Sequence, residues 1–583
     1  MPEDIAPGVP LETGNTPPIG GKGCPSPELE FRRRAIFIPD GPTTARATAV
    51  REIRRASPGS AAGYAITMSP NTRPGRSPGP RAPSKTRDTG VSPPRTGTGP
   101  LHAQAMGGMN LMRGPYRHTK IIATLGPATD SKEMLGKLIV EGVDIMRLNM
   151  AHASHQWVAD AIWFIREVSS EMGRHVGVMM DVKGPEIRTG VLEVPLTLAV
   201  GDRLEFHIEG ASPTGDIPSV SVNYPGLPAD LEVGKIVLVD SGLIRMRVLE
   251  KDAEHVRCEV LTPGKMGSKR HINLPGVYVN LPSLTKKDHD DLKAGVDAGI
   301  DFVALSFVRE AEDVHILRRT LTALGSTAKI IAKIEDQAGV RNMVEIIRAA
   351  DAIMVARGDL GIEIDYHRLP LVQTELVQAC QAEGKPVIIA THLLETMIHS
   401  PMPTRAEISD VSNAIREQAD AVMLSGETTT GSYPLESVKV LKDIIGTMEP
   451  SVPKMLNSKI QLQEPKSKML RSAALLAQEL GESGIIVFTR SGYLAYVLGA
   501  LRARGVPIYA FTDVESIFRQ LLLPWGVEPF LMEFSEDPET TIVNAMAYLK
   551  RREWCKPGTW LVVITNALAA DKVIDTIQLR QIL

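Results

Sequence analysis

Two successive apolar runs near the middle of the chain each end on a cation and a carboxylate. Lys333 and Glu335 close the first run, and Arg357 and Asp359 close the second. Two carboxylates at neighbouring strand ends can bind one magnesium ion, which keeps its other positions for water and substrate phosphate. Lys333 precedes Glu335 by two residues and so shares its side of a strand, where an ammonium suits negative charge developing on a phosphoryl or enolate oxygen. Ion pairing among the four side chains is the structural alternative.

Further cations stand at the ends of other apolar runs. Arg147 and Asn149 repeat the two-residue spacing, His152 follows them, and Arg188 comes after the next run. Each guanidinium can hold a phosphate through paired hydrogen bonds. The sequence therefore predicts a phosphorylated, anionic substrate.

Eight such runs follow one another in a regular order, which is typical of an α/β fold of the (β/α)8 class, the TIM barrel, with its chemistry at the strand C-terminal ends. The runs are 120–124, 145–149, 178–181, 302–306, 330–335, 352–359, 387–391 and 421–427. We predict that the barrel domain occupies residues 119–190 and 277–448.

Two further domains are predicted around this barrel. Residues 191–276 alternate short apolar segments with Gly, Pro and Asp turns, which predicts a small β-barrel inserted in a barrel loop. Because this loop lies at the C-terminal ends of the barrel strands, the inserted domain can act as a lid that excludes water from the site. A helix-like stretch at 469–480 and apolar runs at 484–489, 507–512 and 560–565 predict a C-terminal α/β domain over 449–583 with a mostly parallel sheet.

The first 118 residues are different in composition. They hold 19 of the 42 prolines, with 16 Lys or Arg against 8 Asp or Glu, and no sustained apolar period. Such a stretch buries too little surface to offset its ordering entropy, so a disordered extension is predicted. Translation from Met106, Met109 or Met112 is the favoured alternative. A transit peptide would place the protein in an organelle. It fits less well, because the stretch has no clear amphipathic helix and contains acidic residues.

Composition argues against several classes of protein. The chain has a formal net charge of −3, and the part after residue 118 is mildly acidic, which argues against a nucleic-acid partner. Its four cysteines form no CxxC pair, so a reducing, cytoplasmic location is predicted rather than a disulfide or zinc scaffold. No apolar stretch reaches membrane-spanning length, and we predict no membrane partner.

Eight motifs in chain order resemble those of pyruvate kinase. They are TKIIATLGPA (119–128), RLNMAH (147–152), DVKGPEIRTG (181–190), IAKIEDQAGV (331–340), IMVARGDLGIE (353–363), ATHLLETM (390–397), PTRAE (403–407) and MLSGE (423–427). Several long motifs in order are far more specific than one Gly-rich loop. The resemblance implies phosphoryl transfer from phosphoenolpyruvate to ADP, giving pyruvate and ATP, in a homotetramer.

The resemblance also implies roles for the residues at the barrel mouth. Lys333 matches the catalytic lysine, Glu335 and Asp359 the magnesium ligands, and Arg147 a contact to the substrate phosphate. Thr391 matches the threonine near the enolate. Because a hydroxyl is a weak acid, protonation of the enolate is expected to run through water relayed by Thr391.

The remaining substrate contacts follow from the same resemblance. The backbone N–H groups of Gly358 and Asp359 match donors to the substrate carboxylate. Four side chains fall on or near nucleotide-phosphate positions, namely Asn149, His152, Arg188 and Arg270.

Potassium binding is where the chain departs from the family pattern. The resemblance implies K⁺ ligands at Asn149, Asp181 and the main chain of Val182, together with a serine at the position of Ala151, which offers no oxygen. Glu186 is nevertheless the residue type of potassium-dependent members. Mg²⁺ is therefore the expected cofactor, and a requirement for K⁺ stays open.

Two histidines depart from the pattern as well. His271 stands where the family has glycine, which adds a side chain where the backbone approaches nucleotide phosphates. His392 follows Thr391 where glutamine is common, and its titration near neutrality would change the pH profile. A satisfied structural histidine is the alternative for His392.

The C-terminal domain resembles the effector-binding domain of the family. Thr489, Ser491 and the Gly492 backbone can hold the phosphate of a phosphorylated allosteric effector. A purely structural or oligomer-forming domain is the alternative.

Three functions fit the residues. A working pyruvate kinase uses every matched cation and carboxylate. A catalytically impaired phosphometabolite sensor with the same barrel has Ala151, Val182 and His271 as its support. A different magnesium-dependent barrel enzyme that acts on an enolate would need neither Arg188 nor the lid.

Overall fold

The computed structural model describes residues 116–215, 217–452, 456–569 and 572–583. The predicted extension thus lies outside the described residues, apart from Tyr116, Arg117 and His118. These three pack onto the body of the protein: the Tyr116 hydroxyl donates to the Gly526 carbonyl, and the His118 ring stacks on Trp525 with centroids 4.1 Å apart.

The chain first builds three barrel strands and two helices. The strands are β1 (Lys120–Thr124), β2 (Ile145–Asn149) and β3 (Gly177–Val182). The helices are α1 (Lys132–Glu141) and α2 (His155–Met172). Each helix begins at a serine, Ser131 or Ser154, whose hydroxyl accepts a first-turn N–H, and ends at a left-handed glycine.

Eight short strands and one short helix then form the inserted domain. They are β4 (Leu196–Leu198), β5 (Arg203–Ile208), β6 (Ser219–Val222), α3 (Leu227–Asp230), β7 (Ile236–Val239), β8 (Ile244–Lys251), β9 (His255–Val260), β10 (Gly264–Met266) and β11 (Ile272–Asn273). They make a six-stranded and a two-stranded sheet around one apolar core, rather than one continuously bonded barrel. Most pairs are antiparallel, but β5 and β6 are parallel.

The chain then completes the barrel. The strands are β12 (Phe302–Leu305), β13 (Lys329–Ile334), β14 (Ala352–Ala356), β15 (Val387–Ala390) and β16 (Ala421–Leu424). The helices are α4 (Lys286–Ala298), α5 (Ala311–Ala323), α6 (Gln337–Arg341), α7 (Met343–Ala349), α8 (Arg357–Glu363), α9 (Leu369–Glu383), α10 (Arg405–Arg416), α11 (Gly426–Thr429) and α12 (Pro434–Met448).

The eight strands close into a parallel barrel in the order β1-β16-β15-β14-β13-β12-β3-β2, which confirms the predicted (β/α)8 class. Inward side chains such as Ile122, Met179, Phe302 and Met354 fill the interior. The alternate residues of each strand pack under the surrounding helices. The C-terminal ends of all eight strands therefore open on one face.

The last domain is an α/β layer structure. Its elements are α13 (Pro465–Leu480), β17 (Ser483–Phe488), α14 (Tyr493–Ala500), β18 (Ile508–Thr512), α15 (Glu515–Gln520), β19 (Val527–Leu531), α16 (Pro538–Arg551), β20 (Trp560–Ala569) and β21 (Lys572–Gln581). The sheet order is β19-β18-β17-β20-β21, and only the β20–β21 pair is antiparallel. The predicted, mostly parallel sheet is confirmed.

This domain closes the barrel floor, the end opposite the strand C-termini. Leu522 and Leu523, which follow α15, join the apolar layer inside the barrel. Next to them Asp420 accepts two hydrogen bonds from Arg502, at 2.8 and 2.6 Å, and both side chains are buried. A charged pair this deep persists because each partner satisfies the other.

Within the described residues, no helix combines the length and the apolar character that crossing a bilayer requires.

Candidate active site

Lys333 lies at the centre of a buried polar cluster at the C-terminal end of β13. Its ammonium donates to Ser306 Oγ at 2.9 Å and to Asp181 Oδ1 at 3.2 Å, and it lies 2.9 Å from Glu335 Oε1. Burial alone would lower the pKa of Lys333, but the two carboxylates outweigh it and raise that pKa. The side chain is therefore a fixed positive charge.

Arg147, from β2, is clamped to the same aspartate. Its Nε and Nη2 lie 2.8 and 2.7 Å from Asp181 Oδ2, and its Nη1 donates to Thr124 Oγ1 at 3.0 Å. The two cations, Arg147 and Lys333, hold the pKa of Asp181 below its usual range despite its burial. Asp181 thus stays ionised and orients both cations toward the barrel mouth.

Glu335 is held by two donors, one for each oxygen. Oε1 faces Lys333, and Oε2 accepts the N–H of Phe307 at 2.7 Å. Burial and the neighbouring charges of Asp359 and Asp181 raise the pKa of Glu335 to about 7. Burial is the larger cause of this raised pKa, and the charge of Asp359 adds to it.

Arg357 does not join the predicted carboxylate pair. Its guanidinium bonds the carbonyls of Thr391 and His392 and pairs with Asp410 at 2.7 Å. The ion-pair alternative thus holds for Lys333 with Glu335 but not for Arg357 with Asp359. Asp359 lies in the first turn of α8, because β14 ends at Ala356 and the predicted run continues as helix.

The donor set fits magnesium. Within the described ranges there is no group of three or more His, Cys, Asp or Glu side chains arranged around one point, so a site built wholly from protein ligands is not formed. Glu335 and Asp359 supply two carboxylates, which is the number Mg²⁺ takes when substrate phosphates and water complete its shell.

Thr391 sits in a strained turn at the end of β15. Its φ is 65°, and that of His392 is 55°, both unusual for residues with a Cβ. The Thr391 hydroxyl donates to the Ala390 carbonyl at 2.7 Å and accepts the Gly358 N–H at 2.8 Å. These two hydrogen bonds fix the Thr391 hydroxyl at the N-terminus of α8. The neighbouring His392 ring points elsewhere and pairs with Glu395, at 3.1 Å.

The oxygens expected to bind potassium are already in use. The Ala151 N–H donates to Asn149 Oδ1 at 3.1 Å, and the Val182 carbonyl accepts the Ser306 hydroxyl at 2.8 Å. Asp181 is occupied by two cations, as described above. The Ala151 side chain adds no further oxygen to this set.

The side chains expected to bind nucleotide are spread over the lid and the barrel rim. Arg188 Nε donates to Glu186 at 2.6 Å, and Arg270 pairs with Asp240 at 3.2 Å. His152 is exposed, in the loop after β2. The structure does not bring these three into the Lys333 cluster, whereas Asn149 ends the strand that carries Arg147.

At the start of α14, Thr489 and Gly492 are hydrogen-bonded to each other. The Gly492 N–H donates to Thr489 Oγ1 at 2.9 Å, and the Tyr493 N–H lies 3.4 Å from Ser491 Oγ. A phosphate bound here would replace the first of these bonds.

Three further residues, Thr124, Ser306 and Phe307, contact the cluster although no role was predicted for them. Thr124 and Ser306 end the first and fourth apolar runs, so the same strand-end rule identifies them. Phe307 acts through its backbone N–H, which no residue-type pattern reveals.

Comparison with known proteins identifies the family of this chain. The family model for the pyruvate kinase barrel domain matches residues 116–438, and the model for the pyruvate kinase alpha/beta domain matches residues 467–578. The chain belongs to the pyruvate kinase family. Pyruvate kinases transfer a phosphoryl group from phosphoenolpyruvate to ADP, generally with Mg²⁺ and K⁺, and this chain is an enzyme of that class.

Similar proteins come from plants, bacteria and a protist. The chain is 40% identical over 471 residues to the chloroplastic pyruvate kinase isozyme G of Nicotiana tabacum, covering 80% of this chain and 83% of that one. It is 39% identical over 462 residues to a Staphylococcus epidermidis pyruvate kinase, covering 78% and 79%. A crystal structure of a pyruvate kinase from Cryptosporidium parvum superposes with a TM-score of 0.76 at 32% identity, covering 82% of this chain and all of that one.

Proposed function

We propose that the Lys333 cluster is the site of phosphoryl transfer. The observation that carries this assignment is one buried ammonium held among Asp181, Ser306 and Glu335 at the barrel mouth. Transfer of a phosphoryl group needs positioning and charge neutralisation more than covalent chemistry. Lys333 neutralises charge on the transferred group and on the enolate oxygen, and Arg147 holds the substrate phosphate.

Glu335 and Asp359 would hold magnesium. When bound, the ion neutralises negative charge on phosphoryl and enolate oxygens. In the metal-free protein, Asp181 and Glu335 raise the pKa of Lys333 and keep the proton on Nζ.

Thr391 is proposed to deliver the proton that converts the enolate to pyruvate. Its hydroxyl is fixed by the Ala390 carbonyl and the Gly358 N–H. A water molecule bound beside the substrate would pass the proton on through this hydroxyl. The substrate carboxylate takes the Asp359 N–H and shares the Gly358 N–H with Thr391.

Nucleotide phosphates are proposed to bind between the barrel rim and the lid, at Asn149, His152, Arg188 and Arg270. Arg188 keeps donors that its bond to Glu186 leaves unused, because one guanidinium has five N–H groups. Lid closure would bring Arg188 and Arg270 onto the phosphates and exclude water.

The other cofactors and partners follow as proposals. Potassium is proposed to bind weakly, since the Asn149, Asp181 and Val182 oxygens already have protein donors. A phosphorylated effector is proposed at Thr489, Ser491 and Gly492, and a homotetramer as the assembly. The cytoplasm is the proposed compartment, with an organelle as the alternative because two plant relatives are named chloroplastic or plastidial.

The test is pyruvate formation from phosphoenolpyruvate and ADP with Mg²⁺, comparing the natural protein with Lys333→Met. Loss of the charge is expected to lower kcat by at least about 10²-fold, the scale of removing one preorganised stabilising group. Lys329→Met is the matched control, since Lys329 begins the same strand and pairs with Asp351 at 3.4 Å. Unchanged turnover in Lys333→Met would remove Lys333 from the chemistry, and an inactive natural protein would favour the sensor function.

A further inference from the structure

The backbone of His271 belongs to the lid. Its carbonyl accepts the Asp240 N–H at 3.0 Å, and it forms an antiparallel bridge with Arg188. The next residue, Ile272, donates its N–H to the Ile187 carbonyl at 2.8 Å. The backbone of His271 is thus bonded to the lid through Asp240 and to residues 187–188, where the barrel segment leads into the lid.

The side chain of His271 contacts the barrel. Its ring lies 5.9 Å from the ring of Phe307, centroid to centroid, at an angle of 51°. Burial lowers the pKa of His271 more than the carboxylates of Glu186 and Asp359 raise it, so the imidazole is neutral at neutral pH. It packs as an uncharged aromatic ring, in the separation range of favourable ring pairs.

Phe307 connects this ring contact to the metal carboxylate. Its φ is 53°, a conformation that costs free energy in a residue with a Cβ and persists only where its surroundings hold it. In this conformation its N–H donates to Glu335 Oε2 at 2.7 Å. The preceding residue, Ser306, accepts from Lys333. The two-residue segment 306–307 thus touches both Lys333 and Glu335.

We propose that His271 is a positioning residue that links the lid to the magnesium carboxylate. Its ring packs on Phe307 and stabilises the left-handed conformation that directs the N–H at Glu335, so the lid contact strengthens metal binding at Glu335. This role deepens the proposed function, because it rests on Glu335 being a metal ligand. It gives His271 a part in the reaction without direct contact to substrate.

The test is the dissociation constant of Mn²⁺, measured by electron paramagnetic resonance on the substrate-free enzyme. Loss of the ring pair in His271→Gly is expected to weaken Mn²⁺ binding about three- to tenfold. His271→Phe keeps an aromatic ring and is expected to stay within about twofold of the natural protein. In turnover assays, His271→Gly should raise the Mg²⁺ concentration for half-maximal rate. Equal Mn²⁺ affinity in the natural protein and His271→Gly would overturn the proposal.

Two more variants separate the possible failures. Glu335→Gln tests the ligand role itself: if it leaves Mn²⁺ affinity unchanged, the assignment of Glu335 fails. If Glu335→Gln weakens binding and His271→Gly does not, only the role of His271 fails. Phe307→Ala removes the ring from the barrel side but keeps the Cβ that disfavours φ 53°, so it is expected to weaken Mn²⁺ binding like His271→Gly, with no further loss in the double variant. It keeps the proposal testable if His271→Gly does not fold, and additive losses in the double variant would contradict the link.

Discussion

At the scale of single residues, the site is a row of alternating charges. Arg147, Asp181, Lys333 and Glu335 follow one another with contacts of 2.7 to 3.2 Å. Each charge is fixed by its neighbours, so the cations are already placed when substrate arrives and little reorganisation remains to be done.

The raised pKa of Glu335 predicts a pH-dependent metal affinity. Burial and nearby carboxylates put this pKa at about 7 in the metal-free enzyme, so the group is protonated below that pH and must lose the proton to bind Mg²⁺. Affinity is expected to be full above pH 7 and to fall by up to about tenfold for each pH unit below it. Calorimetric Mg²⁺ titrations at pH 6, 7 and 8 measure this. Glu335→Gln should show a weaker, flatter response, and equal affinity of the natural protein at pH 6 and pH 8 would contradict the prediction.

The side chain at position 151 is expected to influence activation by potassium. Ala151→Ser adds an oxygen next to Asn149, whose own oxygen accepts the residue 151 N–H. One added polar contact is expected to lower the K⁺ concentration for half-maximal activation about two- to tenfold. Titrating KCl against choline chloride at constant ionic strength checks this. Identical K⁺ curves for both proteins would show that the missing hydroxyl is not the cause of weak binding.

Residue patterns predicted part of this site and missed the rest for a physical reason. The two-residue spacing placed Lys333 beside Glu335, because strand geometry is local. The contact between Lys333 and Asp181, 152 positions apart, depends on β12 lying between β3 and β13 in the closed barrel. The N–H of Phe307 has no residue-type signal at all.

At the scale of elements, apolar runs predicted the barrel strands because their interiors are buried on both sides. Ala352–Ala356 is shorter than its run, since the residues after it turn into α8 and offer an N–H to Thr391. The edge strand β19 was not predicted, because Pro529 inside it resembles a turn. Strand β21 was missed because its sequence is rich in polar and charged residues.

The link between the barrel floor and the C-terminal domain predicts a large effect on stability. The Asp420 carboxylate accepts hydrogen bonds from Nη1 and Nη2 of Arg502. It also accepts the backbone N–H groups of Val387 and Trp525. Asp420→Asn leaves the buried guanidinium uncompensated, which is expected to cost about 3–5 kcal/mol. The midpoint of thermal inactivation measures the loss.

The control for this variant is an exposed pair in the same domain. Arg490 bonds both oxygens of Asp513, yet its side chain is 67% exposed. Asp513→Asn is expected to change stability by no more than about 1 kcal/mol. A similar midpoint for both variants would show that the buried pair does not hold the domains together.

At the scale of the whole molecule, one folded body combines barrel, lid and C-terminal domain. The first described residues are part of it: Glu449 accepts the N–H groups of both His118 and Thr119, and Arg117 pairs with Asp144. Every site residue named above lies after Tyr116 in the chain.

A chain that starts at Met112 is therefore expected to keep full activity and thermal stability. A chain whose first natural residue is Thr119 loses the partners that Arg117 and His118 give to buried carboxylates. This loss is expected to lower the free energy of unfolding by about 1–3 kcal/mol. Differential scanning calorimetry and the pyruvate assay compare the two. Reduced activity of the Met112 chain would show that the preceding residues contribute to the working enzyme.

The apolar floor of the barrel also has a consequence for the chain while it is being synthesised. The last barrel strand ends at Leu424, but Leu522 and Leu523, which complete the interior layer, leave the ribosome about a hundred residues later. At roughly 5–20 residues per second, a nascent barrel has an uncovered apolar interior for about 5–20 s. During that interval the growing chain presents chaperones with a binding surface that the finished enzyme no longer has.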